Sequence, residues 1–393
     1  MKRIYLDNAA TTNVSNEVLN EMMPVFNIIY GNPSSLHSFG QEALSMVDKA
    51  RERVSKLINC KSDEIYFTAG GTESNNLAIK GIAYANRNKG NHIITSKIEH
   101  DSVLESCKQL EKEGFEVTYL DCDEHGIVKL ADLLHNIKDT TILVSVMSVN
   151  NEVGTVQNIK AIAKTCKDYG IIFHTDAVQA IGHINIDVKD MDIDALSMSA
   201  HKINGPKGCG AVYIKNGIKF NPVVIGGNQE KRKRGGTLNT PSIVGFGKAC
   251  EIVSRDMLVN NQKIKKIRDY FLKCLQEKVE DFVVNGHQYQ KVNNIVNISF
   301  NFIEGESILM LLDLQGIAVS TGSACTSGTL EPSHVLRAMG IKDEIAQGSI
   351  RFSFSKSISK EDIDYVTDKV AEVVKKLRAI SPLTKAGRSK KNV

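Results

Sequence analysis

Short apolar runs alternate with longer amphipathic stretches over the first two thirds of the chain. Most of the runs are separated by segments with helical spacing of apolar residues, such as Gln41 to Leu57. This alternation is typical of β–α–β units, in which helices cover both faces of a mainly parallel sheet. The sequence therefore predicts an α/β fold with a seven-stranded sheet. Its strands are predicted at residues 64–67, 92–96, 116–120, 141–146, 170–174, 195–199 and 210–214.

The last of these strands differs from the others in its connection. The segment before it is short and rich in glycine, and it leaves no room for a helical crossover. A parallel neighbour needs such a crossover, whereas an antiparallel neighbour does not. We therefore expect the strand at 210–214 to run antiparallel to the strand at 195–199.

The pattern changes beyond about residue 255. A long charged helix at 260–280 precedes a strand at 294–300, a helix from Glu306, and strands at 317–320 and 349–355. This α+β mixture predicts a second, smaller domain. The expected organisation is an N-terminal arm at 1–15, a large domain at 16–255, a small domain at 256–380 and a basic tail at 381–393.

Composition supports an ordinary globular enzyme. The 393 residues are 42% hydrophobic and 24% charged, which suits two domains. The formal net charge of +4 gives no reason to expect nucleic acid or membrane as the main partner. The eight cysteines are scattered without a C-x-x-C pair, and no apolar segment has the length of a signal peptide or a membrane span. We expect a cytoplasmic protein.

One local charge run departs from this even composition. Residues 231–234 read Lys-Arg-Lys-Arg, a pattern that resembles a nucleic-acid-binding patch. Glycine pairs at 226–227 and 235–236 flank the run. A loop that faces a phosphate is therefore supported at least as well as a solvated charge run, and nucleic-acid binding is the weaker interpretation.

Lys202 is the first candidate for chemistry. It follows the strand predicted at 195–199, and the Gly- and Pro-rich segment after it continues neither a helix nor a strand. We therefore place it on a loop at the carboxyl edge of the sheet, where open parallel sheets bind ligands. A partly desolvated lysine there can attack an aldehyde and form a Schiff base. The alternative is a solvated surface lysine.

A phosphate site is predicted at another strand end. Gly70, Gly71 and Thr72 stand between the strand at 64–67 and a helix. The N–H groups of a first helical turn suit a single phosphate, and the Thr72 hydroxyl adds a donor. Neither a Walker loop nor a dinucleotide fingerprint is present. A capping turn without a ligand is the alternative.

Three more strand ends supply polar groups to the same edge. Asp176 ends a buried strand, with Gln179 in the turn that follows, and its carboxylate needs a donor or a cation such as a pyridinium nitrogen. The alternative role of Asp176 is to cap a helix. His100 and the Asn150–Asn151 pair close two further strands, and so many polar groups at one edge predict a binding site.

The small domain contributes a cysteine and an arginine. Residues 320–328 form a loop of small residues that carries Cys325. Such a loop suits a thiol that travels between a buried substrate and an outside acceptor, and the alternative is a surface cysteine without a role. Arg351, on the predicted strand at 349–355, suits bidentate binding of a substrate carboxylate.

Together these motifs resemble the cysteine desulfurases of the NifS/IscS group, which are class-V aminotransferase-like enzymes of pyridoxal-phosphate (PLP) fold type I. The resemblance covers nearly the whole chain, and the longer loop around Cys325 resembles the NifS/IscS branch and not the SufS branch. It is carried by residues 5–12, 31–35, 71–75, 99–100, 150–152, 174–179, 199–202, 235–237, 322–325 and 349–353.

The resemblance implies a role for each candidate residue. Lys202 would hold the cofactor covalently, Asp176 would pair with its pyridine nitrogen, and His100 would stack on the ring and help with proton transfers. Asn151 and Arg351 would hold the substrate carboxylate. The residues implied in cofactor binding are Gly71, Thr72, Asn151, Asp176, Gln179, Ser199, His201 and Lys202, with Thr237 from a partner subunit of a homodimer.

The implied reaction removes sulfur from L-cysteine. Cys325 would take the sulfur as a persulfide, leaving L-alanine, and would pass it to an Fe–S scaffold protein or another acceptor. The resemblance also implies Cys325 as a transient ligand of a [2Fe-2S] cluster shared with the scaffold. A selenocysteine lyase or an aminotransferase is a rival on the same fold. A non-catalytic scaffold or regulator that binds sulfur is a rival of another class.

Overall fold

The computed structural model of the protein describes residues 2–321 and 332–382. The first part of the chain contains β1 (Ile4–Tyr5), α1 (Asn16–Asn27), α2 (Ser38–Leu57), β2 (Ile65–Thr68), α3 (Gly71–Asn86), β3 (His92–Ser96), α4 (Asp101–Lys112), β4 (Glu116–Leu120), α5 (Leu130–Asn136), β5 (Thr141–Ser145), α6 (Ile159–Asp168), β6 (Ile172–Asp176), β7 (Ala195–Ser199) and β8 (Gly210–Ile214).

The second part contains α7 (Gln229–Arg232), α8 (Thr240–Lys278), β9 (Phe282–Asn285), β10 (Ile295–Phe300), α9 (Gly305–Asp313), β11 (Ile317–Ala318), α10 (His334–Ala338), α11 (Asp343–Ala346), β12 (Ser349–Ser353) and α12 (Lys360–Ile380).

A seven-stranded sheet has the order β2-β8-β7-β6-β5-β3-β4. β8 runs antiparallel to both of its neighbours, and the other paired strands are parallel, as predicted. The predicted strand at 170–174 begins only at Ile172, because Gly170 has a left-handed backbone (φ +69) in the turn that ends α6. The strand predicted from residue 64 begins at Ile65, after a 3-10 turn.

Helices bury apolar side chains on both faces of this sheet. Ile93, Leu143 and Ala195 pack under α3 and α4 in one core. Their neighbours along the strands, Ile94, Val144 and Leu196, point to the opposite core, which includes residues of α1, α2 and α8. Adjacent residues of a strand face opposite sides, so strands buried on both faces read as continuous apolar runs. That explains why the sequence predicted them well.

Helix α8 differs most from its prediction. The expected helix at 260–280 begins 20 residues earlier, at Thr240, where the Asn239 side chain accepts a hydrogen bond from the Ser242 N–H. Its first half contributes Phe246 to the core of the large sheet, and its second half contributes Phe271 to a separate core. The proposed domain boundary at 255/256 therefore falls inside one continuous helix that joins the two cores.

The second core surrounds a three-stranded antiparallel sheet of order β12-β10-β9. The sequence did not predict β9, and it extended the strand at 317–320 beyond Ala318, although Ser320 forms a single bridge to Arg351. The N-terminal arm joins this core, because β1 pairs with β11 and Leu6 is fully buried. None of the described helices is long and apolar enough to cross a membrane.

Candidate active site

A cavity of about 300 Å³ lies at the carboxyl edge of the parallel strands, beside β12. Ten of the residues predicted from sequence line it, and they come from five strand ends and the small domain. They are Gly71, Thr72, His100, Asn151, Asp176, Gln179, Ser199, His201, Lys202 and Arg351. Thr237 is exposed and does not line this cavity. Cys325 lies outside the described residues.

One end of the cavity has the features of a phosphate site. Helix α3 begins at Gly71, and its N-cap Gly70 has no side chain to accept the first-turn N–H groups. A Cβ placed on Gly70 would lie 3.9 Å from the Ser199 hydroxyl oxygen. That oxygen is buried and has no hydrogen-bond partner among residues 2–321 and 332–382. A helix N-terminus beside an unpartnered hydroxyl fits the phosphate of PLP.

Asp176 stands at the end of β6 and is only 5% exposed. One carboxylate oxygen accepts the Val178 N–H at 2.9 Å, and the other accepts the Asn75 side-chain N–H at 2.7 Å. Both donors are uncharged, and a buried carboxylate remains costly until a cation neutralises it. A protonated pyridine nitrogen in the cavity fits this requirement.

Asn75 is a site residue that the sequence reasoning missed. It lies in α3, is 1% exposed, and lines the cavity. Its side-chain N–H₂ donates to Asp176 and also to the Ser102 hydroxyl at 2.8 Å. The signal in the sequence was an amide side chain just before the apolar run Leu77-Ala78-Ile79 of a helix.

His100 caps helix α4, and its orientation is fixed by that role. Its Nδ1 accepts the Ser102 N–H at 3.1 Å and lies 2.9 Å from the Ser102 hydroxyl. Since this hydroxyl already accepts from Asn75, its own proton is directed to Nδ1. A neutral His100 therefore carries its proton on Nε2, and a chain of hydrogen bonds links it to Asp176 through Ser102 and Asn75.

Lys202 lies in a 3-10 turn, Ala200–Lys202, directly after β7, at the strand end where the sequence predicted a loop. The turn closes with a hydrogen bond from the Ile203 N–H to the Ala200 carbonyl. The Lys202 amine donates to the carbonyl oxygens of Ala9 at 2.5 Å and Ala10 at 2.9 Å. The N-terminal arm therefore forms one wall of the site and holds the amine against it.

The arm also contacts the predicted substrate end of the cavity. Arg351 is 5% exposed and donates to the Asn151 carbonyl at 2.8 Å and to the Asp7 carboxylate at 3.0 Å. In the part of the chain that the structure describes, its Nε and the Asn151 Oδ1 have no partner although both are buried. The guanidinium thus retains donors for a substrate carboxylate. The sequence reasoning gave the arm, including Asp7, no role in the site.

Burial sets the protonation of two groups near the cavity. It lowers the pKa of His201 to about 4, with help from the nearby charges of Lys202 and Lys207, so this imidazole is neutral at pH 7. Burial raises the pKa of Glu99, the neighbour of His100, to about 8. The N-terminus of α3 favours a negative charge at this end of the cavity.

These features define the class of protein. A lysine and a buried aspartate at the carboxyl edge of a mostly parallel sheet, together with a phosphate site at a helix N-terminus, are those of a PLP enzyme of fold type I. The model of the class-V aminotransferase family matches residues 4–366. The chain belongs to this family and, within it, to the cysteine desulfurases of the NifS/IscS group.

The individual relatives agree with this placement. The chain is 52% identical over 384 residues to the cysteine desulfurase IscS of Clostridium botulinum, a match that covers 97% of each protein. A solved structure described as a NifS-like protein is 38% identical, with a TM-score of 0.90 over 96% of this chain and all of that one. A structure of SspA in complex with cysteine is 37% identical, with a TM-score of 0.81 over 90% of this chain and 99% of that one.

Proposed function

We propose that this chain is a cysteine desulfurase that uses PLP to convert L-cysteine to L-alanine and transfers the sulfur to Cys325. One observation carries this proposal. A single cavity joins Lys202, the buried Asp176 carboxylate, the phosphate site at Ser199 and the Arg351 guanidinium. These groups suit an amino acid held by its carboxylate beside a cofactor held by its phosphate and ring nitrogen.

Each residue has a place in holding the cofactor. Gly71, Thr72, Ser199 and His201 would hold the phosphate, and Asp176 would pair with the ring nitrogen. Gln179, whose side chain donates to the Ala9 carbonyl at 2.8 Å, would bond the ring hydroxyl. His100 would stack on the ring. When bound, PLP supplies an electron sink for the charge that develops at the substrate α-carbon.

The residues of the chain then bind the substrate and move protons. Arg351, with Asn151, binds the carboxylate of L-cysteine and orients its α-carbon. Lys202 takes the α-proton. The Cys325 thiolate attacks the substrate sulfur, so the carbon–sulfur bond breaks as a sulfur–sulfur bond forms. One proton added at Cβ, where the carbon–sulfur bond broke, and one returned to Cα give alanine, and Cys325 is left as a persulfide.

The proposal includes a homodimer. Thr237, the remaining phosphate residue, is exposed and does not line the cavity of its own chain, and the resemblance implies that it serves the site of a partner. An apolar surface supports this arrangement, since α1 exposes Leu19, Met23 and Phe26 on the face next to its buried residues. An apolar helix face that is left exposed indicates a protein contact, and a second copy of the chain supplies one.

The fate of the sulfur follows the resemblance. We propose that the persulfide sulfur passes to an Fe–S scaffold protein or a similar acceptor, with Cys325 as a transient ligand of the [2Fe-2S] cluster assembled there. We also propose a cytoplasmic location. A reducing compartment agrees with the cysteines of the described ranges, each of which is unpaired.

The test is a joint measurement of L-alanine and sulfide from L-cysteine and a reductant. The wild type should give the two products in equal amounts, and Cys325→Ser should give neither. Cys122→Ser is the matched control, because Cys122 is a partly exposed free thiol away from the cavity, and it should behave as the wild type. Unchanged product formation by Cys325→Ser, or no products from the wild type, would refute the proposal.

A further inference from the structure

The basic run at residues 231–234 has partners within its own chain. Lys231 donates to the Asp63 carbonyl at 2.7 Å, and Arg232 donates to the Asn228 side chain at 2.9 Å. Lys233 donates to the Phe220 carbonyl and lies over the Phe220 ring. The Arg234 guanidinium donates two hydrogen bonds to the Glu73 carboxylate. Four adjacent cations held in this way stabilise a particular conformation of the segment.

The backbone of this segment is strained. Glu230, Lys231 and Arg232 all have left-handed φ values, of +44°, +57° and +66°, so the short element α7 is a left-handed turn and not a regular helix. A Cβ makes this region unfavourable, and three successive non-glycine residues in it are rare. Such a turn persists only where the surrounding structure holds it, and strain of this kind is concentrated at functional sites.

A buried ion pair fastens the turn. The Glu230 carboxylate accepts two hydrogen bonds from Arg51 of α2, at 2.6 and 2.8 Å, and a third from the Phe67 N–H of β2. Its side chain is 1% exposed. Arg51 donates as well to the Ile65 carbonyl, at 2.7 Å. This geometry is bidentate and fully desolvated on the carboxylate side, and lysine cannot reproduce it.

The left-handed turn also positions the residues that precede Thr237. The side-chain oxygen of Gln229 accepts the Gly236 N–H at 3.2 Å. The Gly235 N–H donates to the Val224 carbonyl, next to Ile225, which is 86% exposed. The contacts therefore run from Arg51 and Glu230, through Gln229, to the residue adjacent to Thr237. They end at an exposed apolar surface and not at the cavity of the same chain.

We propose that Arg51 and Glu230 are positioning residues for the cofactor phosphate of the partner subunit. They stabilise the left-handed turn, which holds Gly236. The position of Gly236 in turn places the Thr237 hydroxyl so that it can bind the cofactor phosphate in the site of a second copy. This inference rests on the proposed function, namely a PLP-binding homodimer with Thr237 acting between subunits. It assigns a purpose to the basic run that neither nucleic-acid binding nor a solvated charge run supplies.

Mixed dimers test the direction of this effect. Two differently tagged chains are co-expressed, one carrying Lys202→Ala, so that a single site per dimer retains its lysine. The affinity of that site for PLP is read from the absorbance of the bound cofactor. In the first dimer Arg51→Lys is on the chain that retains Lys202. In the second dimer Arg51→Lys is on the Lys202→Ala chain, and the partner is wild type.

The inference predicts opposite results for the two dimers. The first should bind PLP as a mixed dimer without Arg51→Lys does, because its Thr237 comes from the Lys202→Ala chain, which keeps Arg51. The second should bind roughly tenfold more weakly, the loss expected for a hydrogen bond to a charged group. The reverse pattern, an equal loss in both dimers, or no loss in either would overturn the inference. Glu230→Gln should repeat the pattern, with a larger effect.

A matched control separates positioning from general damage. Arg53→Lys alters another arginine–carboxylate contact of α2, with Glu21, that does not involve the turn, and it should leave both dimers unchanged. The size of the wild-type particle and its alanine production are measured first. A monomer, or an inactive wild type, would show that the proposed function fails, and this inference with it. An active wild-type dimer with the wrong mixed-dimer pattern would overturn this inference alone.

Discussion

The cofactor cavity and the basic segment at residues 229–237 use polar groups in opposite ways. In the cavity, Ser199, Asn151 and Arg351 each have a buried polar atom without a partner in the described chain. In the basic segment, each of the four cations has a partner in the chain, and the Glu230 carboxylate accepts three hydrogen bonds. The first pattern indicates a site that a ligand completes, and the second indicates a structural support.

In this chain, the density of positive charge along the sequence does not indicate where a ligand binds. The densest cluster of positive charge in the sequence is used within the fold, whereas the cavity depends on a few groups that lack partners. The following predictions test this contrast.

The largest effect is expected at Lys202. Lys202→Ala should reduce alanine formation from L-cysteine by about 10² to 10⁴-fold, because it removes both the proposed covalent attachment of the cofactor and the proposed base. Lys207→Ala is the control, since Lys207 is exposed five residues later, and it should retain the activity. A Lys202→Ala protein that forms alanine at the wild-type rate would show that this cavity is not the site of the reaction.

A substitution at Glu99 tests whether every buried polar atom without a hydrogen-bond partner indicates a ligand site. Its Oε2 is buried without a partner in the described ranges, but Glu99 does not line the cavity. Burial raises the pKa of its carboxyl from 4.5 to about 8, so the folded state keeps a proton that the unfolded state loses. The free energy of unfolding should therefore fall as the pH rises through this range, by a few kcal/mol in order of magnitude.

Glu99→Gln should reduce this pH dependence and leave PLP affinity unchanged. Urea unfolding near pH 5 and near pH 8 measures the slope, and Glu105→Gln, an exposed position on α4, should keep it. A slope that Glu99→Gln leaves unaltered would show that the carboxyl does not titrate as inferred.

Two serines of β7 offer a matched pair. Ser199→Ala should weaken PLP binding by roughly tenfold without destabilising the apoprotein, because the chain gives this hydroxyl no partner. Ser197→Ala should have the opposite profile. The Ser197 hydroxyl lies 3.0 Å from His174 Nε2, so its loss should cost roughly 1 kcal/mol of stability and leave PLP affinity intact. If the two variants lost PLP affinity and stability to the same extent, the contrast between the cavity and the basic segment would be contradicted.

The smallest effect is expected in the basic segment. Arg232→Gly should raise the free energy of unfolding by up to about 1 kcal/mol, since glycine adopts a φ of +66° without strain. Lys233→Gly should lower it instead, because Lys233 has an ordinary right-handed backbone and loses its contacts with Phe220. Thermal unfolding measures both, and a destabilised Arg232→Gly would mean that the turn is not strained.

The sequence was most informative where structure is local. Four of the seven strands were predicted to the residue, at 92–96, 116–120, 195–199 and 210–214, because apolar runs and glycine turns define them. The strand ends also identified most of the cavity, since parallel strands bring their carboxyl ends to one edge. The family resemblance added Ser199, His201 and Thr237, whose types and spacing alone indicated nothing.

The rest depends on contacts between distant parts of the chain. Asp7 meets Arg351, and Ala9 meets Lys202, across hundreds of residues, so no local pattern revealed that the arm forms a wall of the site. The left-handed turn contains no glycine to indicate it. The change to an α+β pattern suggested a boundary near residue 255, although α8 continues through it and packs its two halves in different cores.

The most direct test of the account is to locate the cofactor on the chain. The protein, loaded with PLP, is reduced with borohydride, which fixes any cofactor bonded to an amine, and its peptides are mapped by mass spectrometry. The account predicts one pyridoxyl group per chain, on the peptide that contains Lys202. A chain that takes up no PLP, or carries it on another lysine, would contradict the central claim that this cavity is a PLP site.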